Sequence, residues 1–188
     1  MNAKHIAALQ ERIGTKPDGQ WGPMSREALR QHMLALIPKA SPWPASDDDS
    51  MIRFYGRPGD ESQLVSIPVT NIGVKYDGRV VRSIRCHKRV ATALLDSLEE
   101  IASGPAAWIL AQFGGCYNDR PMRDGTRKSK HAWGAAIDLA PNTNGLRSQW
   151  PTSADMPIEA MESFAKRGAI NLGWSIGRDA MHFQFTKP

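Results

Sequence analysis

The chain is 188 residues long, 41% hydrophobic and 23% charged, with a formal net charge of +5. That composition excludes a collagen-like repeat and end-to-end disorder, and no stretch approaches the ~18 consecutive apolar residues of a membrane span, so no stable membrane insertion is expected. The basic balance favours an acidic partner, whether nucleic acid, anionic lipid or a polyanionic envelope polymer. The basic residues are scattered, however, and only Arg123–Lys130 (RDGTRKSK) is dense. That stretch reads either as a solvated loop or as a substrate-facing one. No helix-turn-helix, zinc-finger or RNP-type pattern occurs, so nucleic acid is not the expected partner. Two cysteines, Cys86 and Cys116, are too few for a disulfide framework, and whether they bridge stays open. The N-terminus, MNAKHIAALQERIG, lacks the apolar core and cleavage site of a secretory signal, which predicts a cytosolic product with no encoded export route.

In chain order, Ile6, Leu9 and Ile13 fall at helical spacing, with Gly14 as a stop. KPDGQWG is a tight turn, in which Pro17 is pre-set and Gly19 is free to take positive φ. Ser25 is the expected N-cap of a second helix with an apolar stripe of Ala28, Leu29, Met33 and Leu36. These elements form a helical hairpin over residues 1–38, too small to be independently stable with ease. Residues 39–50, rich in Pro, Ala, Ser and Asp, read as a semi-rigid linker whose Trp43 docks on a neighbouring domain.

The second domain is expected over residues 51–188. SQLVSIPVT, VKYDGRVV and RSIRCHK read as strands, with a YDGR turn. Val90, Leu94, Leu98 and Ile101 mark a helix ended by Gly104-Pro105. AAWILAQFGG is a buried strand or a short helix. WGAAIDLA alternates as a strand, with Asp138 on the face opposite Ile137 and Leu139. MPIEAMESFAKRGA is a helix with Pro157 near its start and Gly168 as its stop, and Glu159 and Glu162 are assigned to its solvated face. MHFQF alternates again, His182 and Gln184 one way and Phe183 and Phe185 the other. Strands and helices without βαβ repeats predict an α+β fold with a central antiparallel sheet.

Of five histidines, His5 and His32 are expected on the surface of the helical hairpin. His87 adjoins Cys86, but neighbouring residues of a strand point to opposite faces, which disfavours a Cys–His dyad. Pairing the strands that hold Asp138 and His182 brings both into one pocket, with His131 entering from the turn before Gly134. Two histidines and one carboxylate with an open fourth position are the donor count of a catalytic zinc site.

Two resemblances sharpen this reading. LQERIG…DGQWGPMSREAL resembles the peptidoglycan-binding helical module through Leu9, Gln10, Gly14, Asp18, Gly19, Trp21, Gly22, Ser25, Ala28 and Leu29. SKHAWGAAID resembles the S-x-H-x-x-G-x-A-x-D signature of the LAS zinc peptidases, through Ser129, His131, Gly134, Ala136 and Asp138. DAMHFQF resembles that family's [DE]-x-x-H, and GGCYNDRPMR its arginine loop, with Arg120 at the matching position. The likeness implies that His131, Asp138 and His182 bind Zn2+, that Asp179 is the general base, and that Arg120 contacts the substrate. Ser129, Asp18 and Trp21 are further substrate-binding candidates, although Ser129 and Gly134 read more readily as architecture.

Within that superfamily an aspartate base is associated with phage-type L-alanyl-D-glutamate endopeptidases, and a glutamate base with D-Ala-D-Ala peptidases. The expectation is therefore an endolysin-like, bacteriolytic zinc hydrolase that cuts the L-Ala–D-Glu bond of peptidoglycan stem peptides. It is expected to be monomeric, to accumulate in the host cytoplasm of a bacteriophage infection, and to reach the cell wall after holin-type release. A D-alanyl-D-alanine carboxypeptidase is the enzymatic alternative. The non-enzymatic alternative is a zinc-containing cell-wall-binding protein.

Overall fold

The computed structural model describes residues 2–122 and 125–188, so Arg123 and Asp124 of the basic cluster lie outside the described residues. Helix α1 (Ala3–Arg12) is capped by the Asn2 side chain, which accepts from His5 N. Gly14, with φ +73°, follows its end. Helix α2 (Pro23–Leu36) begins three residues earlier than the Ser25 cap predicted, with Gly22 at the cap position. Pro23 explains the difference: its fixed φ suits the first helical position, where no N–H is needed.

Ser25 is instead buried inside the helix, and its Oγ accepts from Gln10 Nε2 at 2.9 Å. The same amide nitrogen reaches Asp18 Oδ1 at 2.9 Å and Gln20 O at 3.0 Å, and Gln10 Oε1 accepts from Gly19 N at 2.8 Å. One buried glutamine therefore organises the whole turn between the helices.

The segment expected as linker is irregular only as far as Asp47, whose side chain accepts from Ser50 N and caps α3 (Asp48–Tyr55). Trp43 is buried, its Nε1 donating to Arg167 O at 2.7 Å and its ring lying 5.1 Å from that of Phe185. Lys187 N donates to Pro44 O at 2.8 Å. This segment is thus bound along its length to the C-terminal half.

Strand β1 (Leu64–Pro68) pairs antiparallel with β4 (Ser83–His87), and between them β2 (Lys75–Tyr76) and β3 (Arg79–Val80) form a small hairpin. Asp77 and Gly78 at its tip both take positive φ, 47° and 75°, as a two-residue hairpin turn requires. Helix α4 (Ala91–Ala102) buries Leu94, Leu98 and Ile101 along the expected stripe. AAWILAQFGG satisfies both of its readings: a 3-10 helix over Ala107–Gln112 runs into β5 (Phe113–Gly115).

The remaining elements are β6 (Ala136–Leu139), α5 (Pro141–Asn144), α6 (Ile158–Lys166), β7 (Ile170–Asn171), α7 (Leu172–Ser175) and β8 (His182–Gln184). The four-stranded sheet has the order β5-β6-β8-β7 with every pair antiparallel, so the fold is α+β. Helix α6 covers one face of it, with the Phe164 and Phe183 rings 4.3 Å apart. Among the described residues no helix is long and apolar enough to cross a membrane.

Glu162 departs from its expected solvated position. It is 8% exposed and accepts from Arg12 Nε at 2.9 Å and Nη2 at 2.6 Å, with His32 Nε2 at 2.8 Å. His32 is accordingly half-buried rather than on the surface. Glu159 shares the outer side of Arg12. Burial pushes the Glu162 carboxyl up, but the hydrogen bonds from Arg12 and His32 outweigh it and hold the pKa below the ordinary 4.5. A depressed carboxylate stabilises the fold above its unfolded pKa and loses that contribution as pH falls through the folded value. Glu162→Gln should therefore cost about 1–2 kcal/mol at pH 7, the exposed end of Arg12 screening the rest. In urea unfolding the gap from wild type should close below pH ~4.

Candidate metal centre

Pairing of β6 with β8 sets Asp138 directly opposite His182. Because strand side chains alternate, Ile137, Leu139 and Phe183 fill the core while the two polar residues share the other face. His131 comes from a short 3-10 turn, Lys130–Trp133. Ser129 Oγ accepts from His131 N at 3.4 Å at its start, and Gly134, with φ +63°, ends it. A Cβ at Gly134 would lie 2.8 Å from His87 N and 2.9 Å from Leu64 Cδ2. Only glycine lets this turn sit so close to the β1–β4 ribbon.

Three donor atoms converge. His131 Nε2 lies 3.2 Å from His182 Nδ1 and 3.3 Å from Asp138 Oδ1, and the last two are 3.0 Å apart. Tetrahedral zinc with bonds of 2.0–2.1 Å separates its ligands by ~3.3 Å, so this triangle fits one face of such a site. The outward ring nitrogens are also provided for: His131 Nδ1 lies 2.6 Å from Cys116 O, and His182 Nε2 lies 3.2 Å from Gln184 Oε1. Each oxygen can accept the ring N–H, leaving a lone pair on the nitrogen that faces Asp138. Burial alone would raise the Asp138 carboxyl, but its hydrogen bonds with His131 and His182 hold it well below the usual range. The donor set is therefore ready to receive a cation.

Gln184 is buried and steadied by a 2.7 Å bond from its Nε2 to Thr186 Oγ1. Gln184→Leu removes the acceptor and should weaken zinc affinity about 10–100-fold, as read by competition with a chromogenic chelator. Its side of the strand was legible in the MHFQF alternation, although its role was not. The Cys116 carbonyl carried no sequence signal at all, since every residue supplies one.

Asp179 sits three residues before His182, buried and with φ 58°, and its backbone oxygen accepts from His182 N at 3.0 Å. Burial lowers the pKa of His182, while Asp138 and, more weakly, the Asp179 charge raise it to a net upward shift. The two carboxylates thus act on one imidazole. Arg120 lies on the loop leading to His131, where its carbonyl accepts from Ser129 N at 3.1 Å. Its guanidinium donates to Pro121 O at 3.3 Å and forms no ion pair among the described residues. Ser129 is buried as the cap of the His131 turn, a structural task.

Asp18 and Trp21 belong elsewhere. Asp18 fastens the hairpin turn through Gln10 and Gln20, and Trp21 meets Trp150 edge to face. Cys86 and His87 do not form a dyad. The His87 ring is held by Tyr55 O and Arg89 N, and burial pushes the Cys86 thiol up to about 12. Both cysteines are reduced and buried.

A family model described as D-alanyl-D-alanine carboxypeptidase matches residues 123–185, about a third of the chain. The matched stretch contains His131, Asp138, Asp179 and His182, while Arg120 lies just before it. No curated protein and no solved structure matches the chain. Together with the metal-fitting triad, the family match supports a zinc metallopeptidase acting on peptidoglycan, of the D-Ala-D-Ala carboxypeptidase type.

Proposed function

We propose that the chain is an endolysin-type peptidase that hydrolyses the L-Ala–D-Glu bond of peptidoglycan stem peptides. The observation that carries this reading is the triangle of His131 Nε2, Asp138 Oδ1 and His182 Nδ1, with Asp179 buried beside it. These three residues would hold zinc, which when bound acidifies water and polarises a carbonyl. Asp179 takes the proton of the attacking water and returns it to the leaving amine. Arg120 binds a substrate carboxylate or the developing oxyanion, for which a guanidinium with unused donors is suited.

Aspartate at the base position favours the endopeptidase, following the resemblance described above. The D-Ala-D-Ala carboxypeptidase alternative is favoured by the description of the matching family. A zinc-containing wall-binding protein has no use for a carboxylate at Asp179, which speaks for turnover. The proposal includes a monomer that accumulates in the host cytoplasm and meets the wall after holin-type release, its +5 charge suiting a polyanionic envelope.

Digestion of Gram-negative sacculi with the zinc-loaded protein, followed by mass spectrometry of the products, tests the reading. Free stem peptides with N-terminal D-Glu are the expected product, absent with Asp179→Asn. Loss of terminal D-Ala from intact stems would establish the carboxypeptidase instead. No change, with zinc bound stoichiometrically, would leave the wall-binding reading.

A further inference from the structure

Away from the metal centre, a cleft of about 340 Å³ opens between α2 and the segment around α7. Trp21, Arg26 and Arg30 of the helical hairpin line one side, and Trp150 and Trp174 the other. None of them belongs to the group of His131, Asp138 and His182. The Trp21 and Trp150 rings meet edge to face with centroids 5.4 Å apart. Arg26 and Arg30 are exposed and one helical turn apart, so both guanidinium groups serve the same side. Glu27 stands 3.9 Å from Arg30, whereas Arg26 has no ion pair among the described residues.

Trp174 is 6% exposed, yet its indole Nε1 has no hydrogen-bond partner among the described residues, and neither has the Oγ of its neighbour Ser175. A buried indole N–H normally finds an acceptor, and an orphaned polar group in a native structure calls for a specific cause. Two such groups on residues that line one cleft point to a ligand that brings its own hydroxyl or carbonyl groups.

We infer that this cleft binds an acidic N-acetylated amino sugar, so that the hairpin and the peptidase half grip the glycan jointly. Pyranose C–H groups carry weak positive charge and lie favourably on the electron-rich faces of indoles. Sugar hydroxyl and acetamido groups supply partners for Trp174 and Ser175. The arginine fork takes a carboxylate in bidentate fashion, which a neutral sugar would leave unmet. The cleft volume falls within the range of roughly 300–1,000 Å³ common to small-ligand sites. The choice of sugar rests on the peptidoglycan reading: cutting after L-Ala leaves a new carboxylate on the muramic acid side of the bond.

The full, zinc-loaded chain titrated with the disaccharide GlcNAc–MurNAc-L-Ala, which carries that free alanine carboxylate, and with neutral chitobiose tests the inference through tryptophan fluorescence. Saturable binding of the acidic disaccharide, at least about tenfold tighter than chitobiose, is the expected result. The double variant Arg26→Ala/Arg30→Ala should lose that preference, with its melting temperature checked against wild type. No saturable binding to wild type, equal affinity for the two sugars, or undiminished binding in the folded double variant would each overturn it. The peptidase reading is scored separately on sacculi with the same preparation. Sugar binding without peptide release overturns only the peptidase reading, and release without sugar binding overturns only the cleft assignment.

Discussion

Asp179→Asn should lower kcat for stem-peptide hydrolysis by about 10²–10⁴-fold while leaving one zinc bound per chain. Asparagine is the better replacement because the backbone at Asp179 has φ 58°, a region that Asn enters readily. Alanine would add about 1–2 kcal/mol of strain there and blur a chemical loss with a structural one. The donor atoms belong to His131, Asp138 and His182, so removing the Asp179 charge leaves the metal's ligands in place. Retained zinc with lost turnover is the signature of a base. Retained turnover would remove Asp179 from the mechanism, and lost zinc would make it part of the metal's support.

Gly134→Ala carries the largest expected effect on stability. Two costs combine at this position: a left-handed backbone with φ +63° and a Cβ forced to within 2.8 Å of His87 N. Strain and overpacking together should cost about 2–5 kcal/mol, a fall in Tm of roughly 5–20 °C for a chain of this size. The turn carries His131, so zinc affinity should fall with stability. Gly14 is the internal control. It has φ +73° but nothing within 4 Å of its Cβ position, so Gly14→Ala should cost only the ~1–2 kcal/mol of backbone strain. If the two variants melt alike, the close approach at Gly134 is not what holds the turn.

The convergence of His131, Asp138 and His182 was legible because its geometry is encoded locally. Alternation along WGAAIDLA and MHFQF puts Asp138 and His182 on polar faces, and a single register of β6 on β8 brings them together. His131 needed only a short turn closed by glycine. The start of α2 was misread at Ser25 because a side-chain cap and a first-turn proline compete for the same signal, and Gly22-Pro23 prevailed. Glu162 was misread for a different reason. Its partners Arg12 and His32 lie 150 and 130 residues away, and helical periodicity places a residue on a face without saying what will cover that face. The AAWILAQFGG ambiguity arose because a short apolar run suits either element, and the chain uses both in succession.

Trp43 changes what the segment between the hairpin and the peptidase half does. A slack connection would let the hairpin wander and reward any substrate within reach, with an effective concentration set by chain length. Here the indole is anchored on Arg167 O, and the Lys187 amide bonds to Pro44 O. The Lys130 ammonium, one residue before His131, also donates to Ser46 O. Under the proposed function, the segment would therefore act as a ruler rather than a leash, rewarding substrates whose anchor point and scissile bond match one fixed spacing and gaining little from the rest.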